Sequence, residues 1–196
     1  EVRVEGFRGA LSSRASMDKL TIADADGVWL VLTDAVLDWN RTAVLRGRIE
    51  INELSARRIE LPRLPVSEGS NGTPSPEASS FSLPVLPVSI RIDKIAVERA
   101  VLGSEIIGVP VDIAFKGATS LEGGQGQAEL SIIRLDGPKG AFRLNSKYSN
   151  QTKQLSVGLV LKEAANGIAA NLLKLPGAPA LELGVNGNGQ IGRAHV

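Results

Sequence analysis

Hydrophobic and polar residues alternate along most of this chain, and that pattern predicts strands with one apolar and one polar face. The alternation is regular in residues 142–148, 155–162 and 181–186. Gly-rich segments such as 123–126 and 136–140 separate the alternating runs. Because turns of this kind join antiparallel neighbours, we predict a mainly β, mostly antiparallel protein. Residues 29–39 have the same spacing, which predicts one shared face for Trp29, Val31, Thr33, Ala35, Leu37 and Trp39.

Two short helices are predicted to interrupt the strands. Residues 41–46 follow Asn40, whose side chain can act as an N-cap, and precede Gly47, which is typical of a helix end. Residues 163–174 carry apolar side chains at helical spacing, and Pro176 ends that segment.

A proline-rich stretch divides the chain into segments. Residues 62–87 hold six of the ten prolines, and their polar centre can bury little apolar surface. We therefore predict a first β segment over residues 1–62, a flexible insertion over 63–87 and a second β segment over 88–190. A single sheet is able to continue across the insertion.

Two strand segments on either side of the insertion are similar to each other. Residues 49–58 and 90–99 both begin with two apolar residues at alternate positions, followed by a polar pair and a change of phase. A change of phase indicates a bulge or a tight turn. The similarity is either chance among amphipathic strands or the trace of a repeating β architecture.

The two ends of the sequence indicate a segment of a longer protein. Glu1 already lies in a predicted strand. Residues 191–196 look like the translation of a sequencing adapter, so we predict a non-native tail there, with an ordinary polar tail as the alternative. No function is assigned to these six residues.

Composition narrows the chemistry that is available. The formal net charge is +1 and aromatic residues make up 4% of the chain, which argues against a nucleic-acid-binding surface. The chain has no Cys, and its one His is His195. Disulfides, thiolate metal sites and cysteine nucleophiles are therefore excluded, and histidine-based catalysis is nearly so. We predict no enzyme activity, no cofactor and no metal site.

Several motifs match functional patterns in part. Residues 24–27, Asp-Ala-Asp-Gly, begin like a calcium loop but lack its later ligands, so we interpret them as a turn. Ser16 and Lys19 have the spacing of an acyl-enzyme pair, which needs a helix rather than a strand. Residues 187–192 match a dinucleotide fingerprint, but no helix follows. Asn150 opens one of three glycosylation sequons, all at predicted turns.

Longer segments resemble a known family. The chain resembles the N-terminal part of the TamB subunits of the bacterial translocation and assembly module, which belong to the wider AsmA-like group. The resemblance runs from about Val4 to Arg63 and covers most of residues 4–190, but only a small part of a full-length family member. The residues that carry it are Leu20–Leu30, Leu37-Asp38-Trp39-Asn40, Leu45–Ile49, Leu54–Ile59, Leu86–Ile90 and Arg134–Pro138.

The resemblance implies an elongated, curved sheet that forms an open groove in the periplasm. In this family an N-terminal helix anchors the protein in the inner membrane, and a C-terminal domain contacts an outer-membrane barrel partner. Both of these regions would lie outside the present sequence. The groove interior is apolar and carries phospholipid acyl chains between the membranes, in support of outer-membrane protein assembly and autotransporter secretion.

We expect the groove lining to come from the apolar face of the predicted strands. A closed core built from the same side chains is the alternative, and it would make the chain a structural or adhesin-like β scaffold. The candidate lining residues are Trp29, Val31, Leu37, Ile49, Ile51, Ile90, Ile92, Leu130, Ile132, Phe142, Leu144, Leu155, Leu159 and Leu183.

Overall fold

The computed structural model describes residues 1–10, 13–66 and 82–191. These residues form eleven strands and three short helices. The strands are β1 (Val2–Glu5), β2 (Arg8–Gly9), β3 (Arg14–Asp24), β4 (Gly27–Asn40), β5 (Arg48–Leu61), β6 (Ser89–Leu102), β7 (Val111–Glu122), β8 (Gln125–Arg134), β9 (Gly140–Ser149), β10 (Gln154–Glu163) and β11 (Leu181–Gln190). The helices are α1 (Arg41–Val44), α2 (Ser104–Ile107) and α3 (Ile168–Leu172).

All eleven strands belong to one open sheet. Apart from the short β2, which pairs with β3, the strands follow the order β1-β3-β4-β5-β6-β7-β8-β9-β10-β11. Strands β1 and β11 form the two edges and do not pair with each other. The predicted fold class, a mainly β protein on an open and mostly antiparallel sheet, is confirmed; three helices form where one or two were expected.

One strand pair departs from the antiparallel pattern. Strands β5 and β6 are parallel, with Ile49 opposite Ile90 and Arg58 opposite Arg99. This is the register in which residues 49–58 align with residues 90–99, so the two similar segments lie side by side. A parallel pair needs a long connection back to the starting end of the sheet, and residues 62–88 provide it.

The sheet has one apolar face, which two rows of side chains cross from β3 to β11. Directly paired residues point to the same face, so the register traces each row from strand to strand. The upper row consists of Met17, Ala35, Ala56, Val97, Phe115, Ile132, Phe142, Leu161 and Leu183. The middle row consists of Ala15, Leu37, Leu54, Ile95, Gly117, Leu130, Leu144, Leu159 and Val185.

Irregularities in β4 overturn the prediction that residues 29–39 share one face. Asp34 has a φ of 49° and interrupts the alternation. Val31 pairs with Glu60, next to the apolar-face residue Ile59, so Val31 lies on the polar face. The register passes over Trp29 between Leu30 and Val28, which makes Trp29 the extra residue of a bulge.

The predicted helices form, but with different lengths. The first is confirmed as α1, and the Asn40 side chain accepts a hydrogen bond from the Thr42 amide at its start. The second is much shorter than residues 163–174, because β10 continues to Glu163 and α3 begins only at Ile168. Helix α2 is a single turn between β6 and β7 that the sequence pattern did not predict.

The buried core lies at the upper end of the sheet, where β5 and β6 end and β7 begins. Ala56, Val97, Ala100, Val111 and Ile113 are buried there with Ile107 of α2, and Ile168 of α3 packs against the cluster. Helices α2 and α3 contact each other, although about 19 Å separates strands four places apart on a flat sheet. The two connections therefore meet above the apolar face and cover its upper end.

The long connection is fixed to opposite ends of the sheet. At the upper end, Arg63 pairs with Asp24 and donates to the Gly27 carbonyl at 2.7 Å. At the lower end, the Leu83 amide donates to the Asn150 side chain at 2.8 Å, and that side chain donates back to the Leu83 carbonyl at 2.7 Å. The centre of the predicted insertion, residues 67–81, lies outside the described residues. The division into two β segments stays a prediction, although one sheet contains both.

Candidate functional site

The apolar face is only partly covered by the described residues. Leu54 is 42% exposed and Leu183 is 49% exposed, although both belong to the rows of the apolar face. Leu130, Leu144 and Leu159 are half-buried, because neighbouring side chains shield them from the sides. These rows are therefore the part of the face where apolar side chains remain in contact with solvent.

A cavity lies at the upper end of this face, between the sheet and α3. It has a volume of about 280 Å³. We call it the α3 pocket, and its lining is mostly apolar. The lining residues are Ile132, Arg134, Gly140, Ala141, Phe142, Leu161, Glu163, Ile168, Ala169 and Leu172.

Glu163 holds α3 in place above the pocket. Its carboxylate accepts hydrogen bonds from the amides of Ile168 at 3.0 Å and Ala169 at 2.9 Å. These amides belong to the first turn of the helix, where no intrahelical partner is available. The contact is close: a Cβ added at Gly167 would lie 2.5 Å from the nearer carboxylate oxygen of Glu163.

Arg134 forms the second polar contact at the rim of the pocket. Its side chain is 7% exposed and pairs with Asp136 at 2.6 Å. The guanidinium also donates to the Asn166 carbonyl at 2.9 Å. The hydrogen bond between the two side chains raises the pKa of Arg134 and lowers the pKa of Asp136. The pair therefore stays ionised at neutral pH, and its charges are balanced within the protein.

The polar face carries ion pairs across neighbouring strands. Glu53 on β5 accepts from Lys94 on β6 at 2.7 Å and lies 3.6 Å from Arg14 on β3. The hydrogen bond from Lys94 lowers the pKa of Glu53. These cations are exposed, so the pairs add little stability. They make this face a solvated exterior.

A larger depression on the polar face has a different character. It has a volume of about 590 Å³. Amide and hydroxyl side chains line it together with one carboxylate and one ammonium group. The polar-face residues of the lining are Gln127, Glu129, Asn145, Lys147, Ser156, Asn186 and Asn188. This chemistry suits water, and nothing in it binds an apolar chain.

The structure brings most of the predicted lining residues to one face. Val31 lies on the opposite face and Trp29 at a bulge, so these two are corrected as lining residues. The other twelve share the apolar face: Leu37, Ile49, Ile51, Ile90, Ile92, Leu130, Ile132, Phe142, Leu144, Leu155, Leu159 and Leu183. Ile132 and Phe142 also line the α3 pocket.

The other residues of the α3 pocket were not among the candidate lining residues. Leu161 fits the period-two pattern of β10, so that pattern could have placed it on the apolar face. Ile168, Ala169, Leu172 and Leu173 were expected to form one helical stripe; the first three line the pocket, whereas Leu173 follows the end of α3 and is exposed. No sequence signal indicated that Glu163 binds the start of α3.

The partial motifs have structural roles. Residues 24–27 are confirmed as a turn, in which the Asp24 carboxylate accepts from the Asp26 amide at 2.9 Å. The hydrogen bond from Arg63 holds the pKa of Asp24 well below its usual range. Both ends of the Asn150 amide bind the Leu83 backbone, so this sequon residue joins the long connection to the sheet.

The described residues contain neither a metal-binding cluster nor a membrane-spanning helix. Within residues 1–10, 13–66 and 82–191, no group of three or more His, Asp or Glu side chains is arranged to hold a metal ion. None of the helices in this part of the chain is long and apolar enough to cross a membrane. Comparison of the chain with protein-family models, curated proteins and solved structures gave no match.

Proposed function

We propose that this chain is a non-enzymatic groove segment that holds lipid acyl chains against its apolar face. The observation that carries the proposal is the pair of side-chain rows that runs through nine strands: on β8–β10 the upper row lines the α3 pocket, and the middle row below it ends on β11 at the exposed Val185. An acyl chain needs apolar contact and no hydrogen bonds, which is what these rows offer.

The energetics of the face fit such a ligand. Each methylene that leaves water contributes about 0.8 kcal/mol, so a chain gains affinity from length and needs no specific polar contact. Leu144 and Leu159 are direct neighbours across β9 and β10, and Val185 continues the row on β11. A chain can therefore lie on this part of the face without meeting a charged side chain.

The wider role that we propose follows the resemblance to the TamB and AsmA-like proteins. The chain would be part of a periplasmic bridge, anchored in the inner membrane through a region outside this sequence. It would support phospholipid transfer to the outer membrane and the assembly of outer-membrane proteins. The segments that carry the resemblance include β3 and β4, which hold one side of the sheet.

A structural scaffold is the second candidate, and the buried cluster at the upper end favours it. Val97, Val111 and Ile113 are sealed beneath α2 as in an ordinary core. In a scaffold the remaining rows are sealed in the same way, and the sheet has no room for lipid.

Adjacent residues of β10 give a matched test. Leu159 lies on the apolar face between Leu144 and Val185, whereas Val160 lies on the polar face opposite Arg143. We expect the unmodified chain to retain phospholipid on purification, measured by extraction and mass spectrometry. Leu159→Asp should fold and lose that lipid, while Val160→Asp should fold and keep it.

The two candidate functions predict different outcomes. In a scaffold with a closed core, Leu159→Asp would unfold, because an isolated charge is costly to bury, and the unmodified chain would carry no lipid. Lipid-free protein under mild purification, together with no binding of added phospholipid vesicles, would overturn the proposed function.

A further inference from the structure

We propose that the α3 pocket receives the methyl end of one acyl chain, and that the rest of the chain runs down the apolar face towards the lower end. This inference rests on the proposed function and adds the orientation of the ligand to it. It depends on three features of the structure: the chemistry of the pocket, the change in side-chain size below it and the length of the path.

The pocket accepts an apolar group and offers little to a headgroup. Ile132, Phe142 and Leu161 form its floor, and Ile168 and Ala169 of α3 form its roof. A phosphate or ester placed here would lose its water without gaining a partner, which is unfavourable. A terminal methyl group and the methylenes next to it lose nothing by entering.

Both charged side chains of the lining are already engaged. The Glu163 carboxylate accepts two backbone amides of α3. The Arg134 guanidinium is shared between Asp136 and the Asn166 carbonyl. An anionic headgroup would have to displace Asp136 to reach the Arg134 guanidinium, so the pocket offers such a group no unpaired cation.

The volume matches a chain end and excludes a whole lipid. At about 30 Å³ for each water-sized group, the 280 Å³ of the pocket hold about nine methyl or methylene groups. A phospholipid with two chains and a headgroup is several times larger. The remainder of the molecule must therefore lie on the open rows.

The apolar face itself changes along its length. Next to the pocket, the upper and middle rows hold Leu or Val on β10 and β11, for example Leu159 and Val185. The row below consists on β8–β11 of Ala128, Ser146, Val157 and Gly187. These residues are smaller and include a hydroxyl group, so this row accommodates the bulkier and more polar glycerol end.

The lower limit of the path comes from the chain itself. Leu83 crosses the apolar face near Gly126, where an added Cβ would lie 2.6 Å from the Leu83 side chain. From Ile132 to Ala128 the path along β8 is about 14 Å at 3.4 Å per residue. Half of the hydrocarbon core of a bilayer is about 15 Å, so one acyl chain fits between the pocket and the Ala128 row.

Photo-crosslinking tests the orientation with the full chain in its lipid-bound form. One phosphatidylethanolamine probe carries a diazirine at the terminal carbon of an acyl chain, and a second carries it next to the ester. We expect the terminal probe to label α3 or the pocket floor, and the ester-proximal probe to label the Ala128 row. The labelled peptides are identified by mass spectrometry.

A pair of α3 variants sharpens the test. Ala169→Trp fills the pocket, whereas Leu173→Trp changes an exposed residue at the end of the same helix. We expect Ala169→Trp to reduce terminal labelling of the pocket by roughly tenfold, the change that about 1.4 kcal/mol produces. Leu173→Trp should leave it unchanged.

The outcomes separate this inference from the proposed function. Terminal-probe labels on the open rows alone, or labels that Ala169→Trp does not reduce, would overturn the orientation while leaving lipid binding intact. No labelling by either probe would overturn both. If Ala169→Trp fails to fold, the positions labelled in the unmodified chain still decide the question.

Discussion

Two regions of the nine-strand rows, β5–β7 and β8–β11, differ in what lies above them. Around β5–β7, helix α2 and part of α3 add a second layer, and Val97 and Val111 are almost completely buried. Around β8–β11 the same rows continue in perfect register, yet Leu183 is half exposed. The same rows of apolar side chains thus enter a buried core at Ala56 and Val97 and remain partly exposed at Leu183 and Val185.

The backbone of the two regions differs as well. The β3–β4, β4–β5 and β6–β7 pairings include register shifts, whereas the parallel β5–β6 pair keeps one register. The pairings from β7 to β11 are continuous. Because bulges bend strands and increase their twist, we expect the first region to be the more strongly twisted part of the sheet.

The largest expected effect compares a covered and an open side chain. Ile113→Ala removes a buried side chain beside α2 and should lower the free energy of unfolding by about 2–4 kcal/mol. Leu183→Ala removes a half-exposed side chain on β11 and should cost about 1 kcal/mol or less. Urea unfolding of the lipid-free protein measures both values. Equal costs would show that Leu183 is covered in solution, and the contrast between the regions would fail.

The sequence predicted the part of this contrast that depends on local pattern. Period-two alternation identified β9, β10 and β11, and twelve of the fourteen candidate lining residues share the apolar face. It failed in β4, because the positive φ of Asp34 shifts the phase without a Gly to mark it.

Long-range pairings were beyond prediction from the sequence. The parallel pairing of β5 and β6, and the packing of Ile168 against the cluster that contains Ile107, join residues far apart in the chain. The seating of Glu163 beneath α3 is of the same kind, because it depends on where β10 ends. Local periodicity carries no information about such contacts.

An intermediate effect is expected at the junction of the two regions, where Glu163 holds α3. Glu163→Gln keeps the shape of the side chain but removes its charge. An NH₂ group replaces one of the two carboxylate oxygens, so a hydrogen-bond donor then faces a backbone N–H donor. The loss should be about 1–2 kcal/mol, typical of a charged hydrogen bond. Hydrogen exchange at Ile168 and Ala169 should then become roughly tenfold faster, which corresponds to about 1.4 kcal/mol.

The matched control is another paired glutamate far from the helix. Glu182 on β11 pairs with Lys162 on β10, and both side chains are exposed. Glu182→Gln removes this pair. It should change stability by less than about 0.5 kcal/mol and leave exchange at Ile168 and Ala169 as it was. Equal acceleration in both variants would mean that Glu163 does not hold α3.

The smallest effect is the contribution of the Arg134–Asp136 pair, beside the pocket, to the pH dependence of stability. The hydrogen bond from Arg134 lowers the pKa of Asp136 in the folded protein, so the ionised carboxylate stabilises the fold above the unfolded pKa of about 3.9. That contribution is lost as pH falls through the lower folded pKa. Asp136→Asn should therefore be less stable at pH 7 by about 1 kcal/mol or less.

The difference between Asp136→Asn and the unmodified chain should shrink as pH falls from about 5 towards 2, because protonation removes the same charge. The lowered pKa values of Asp24 and Glu53 act in this range too, but both proteins contain them, so they cancel in the difference. Unfolding measured across this pH range checks the prediction. A difference that stays constant with pH would mean that the Arg134–Asp136 pair stabilises the covered end through shape alone.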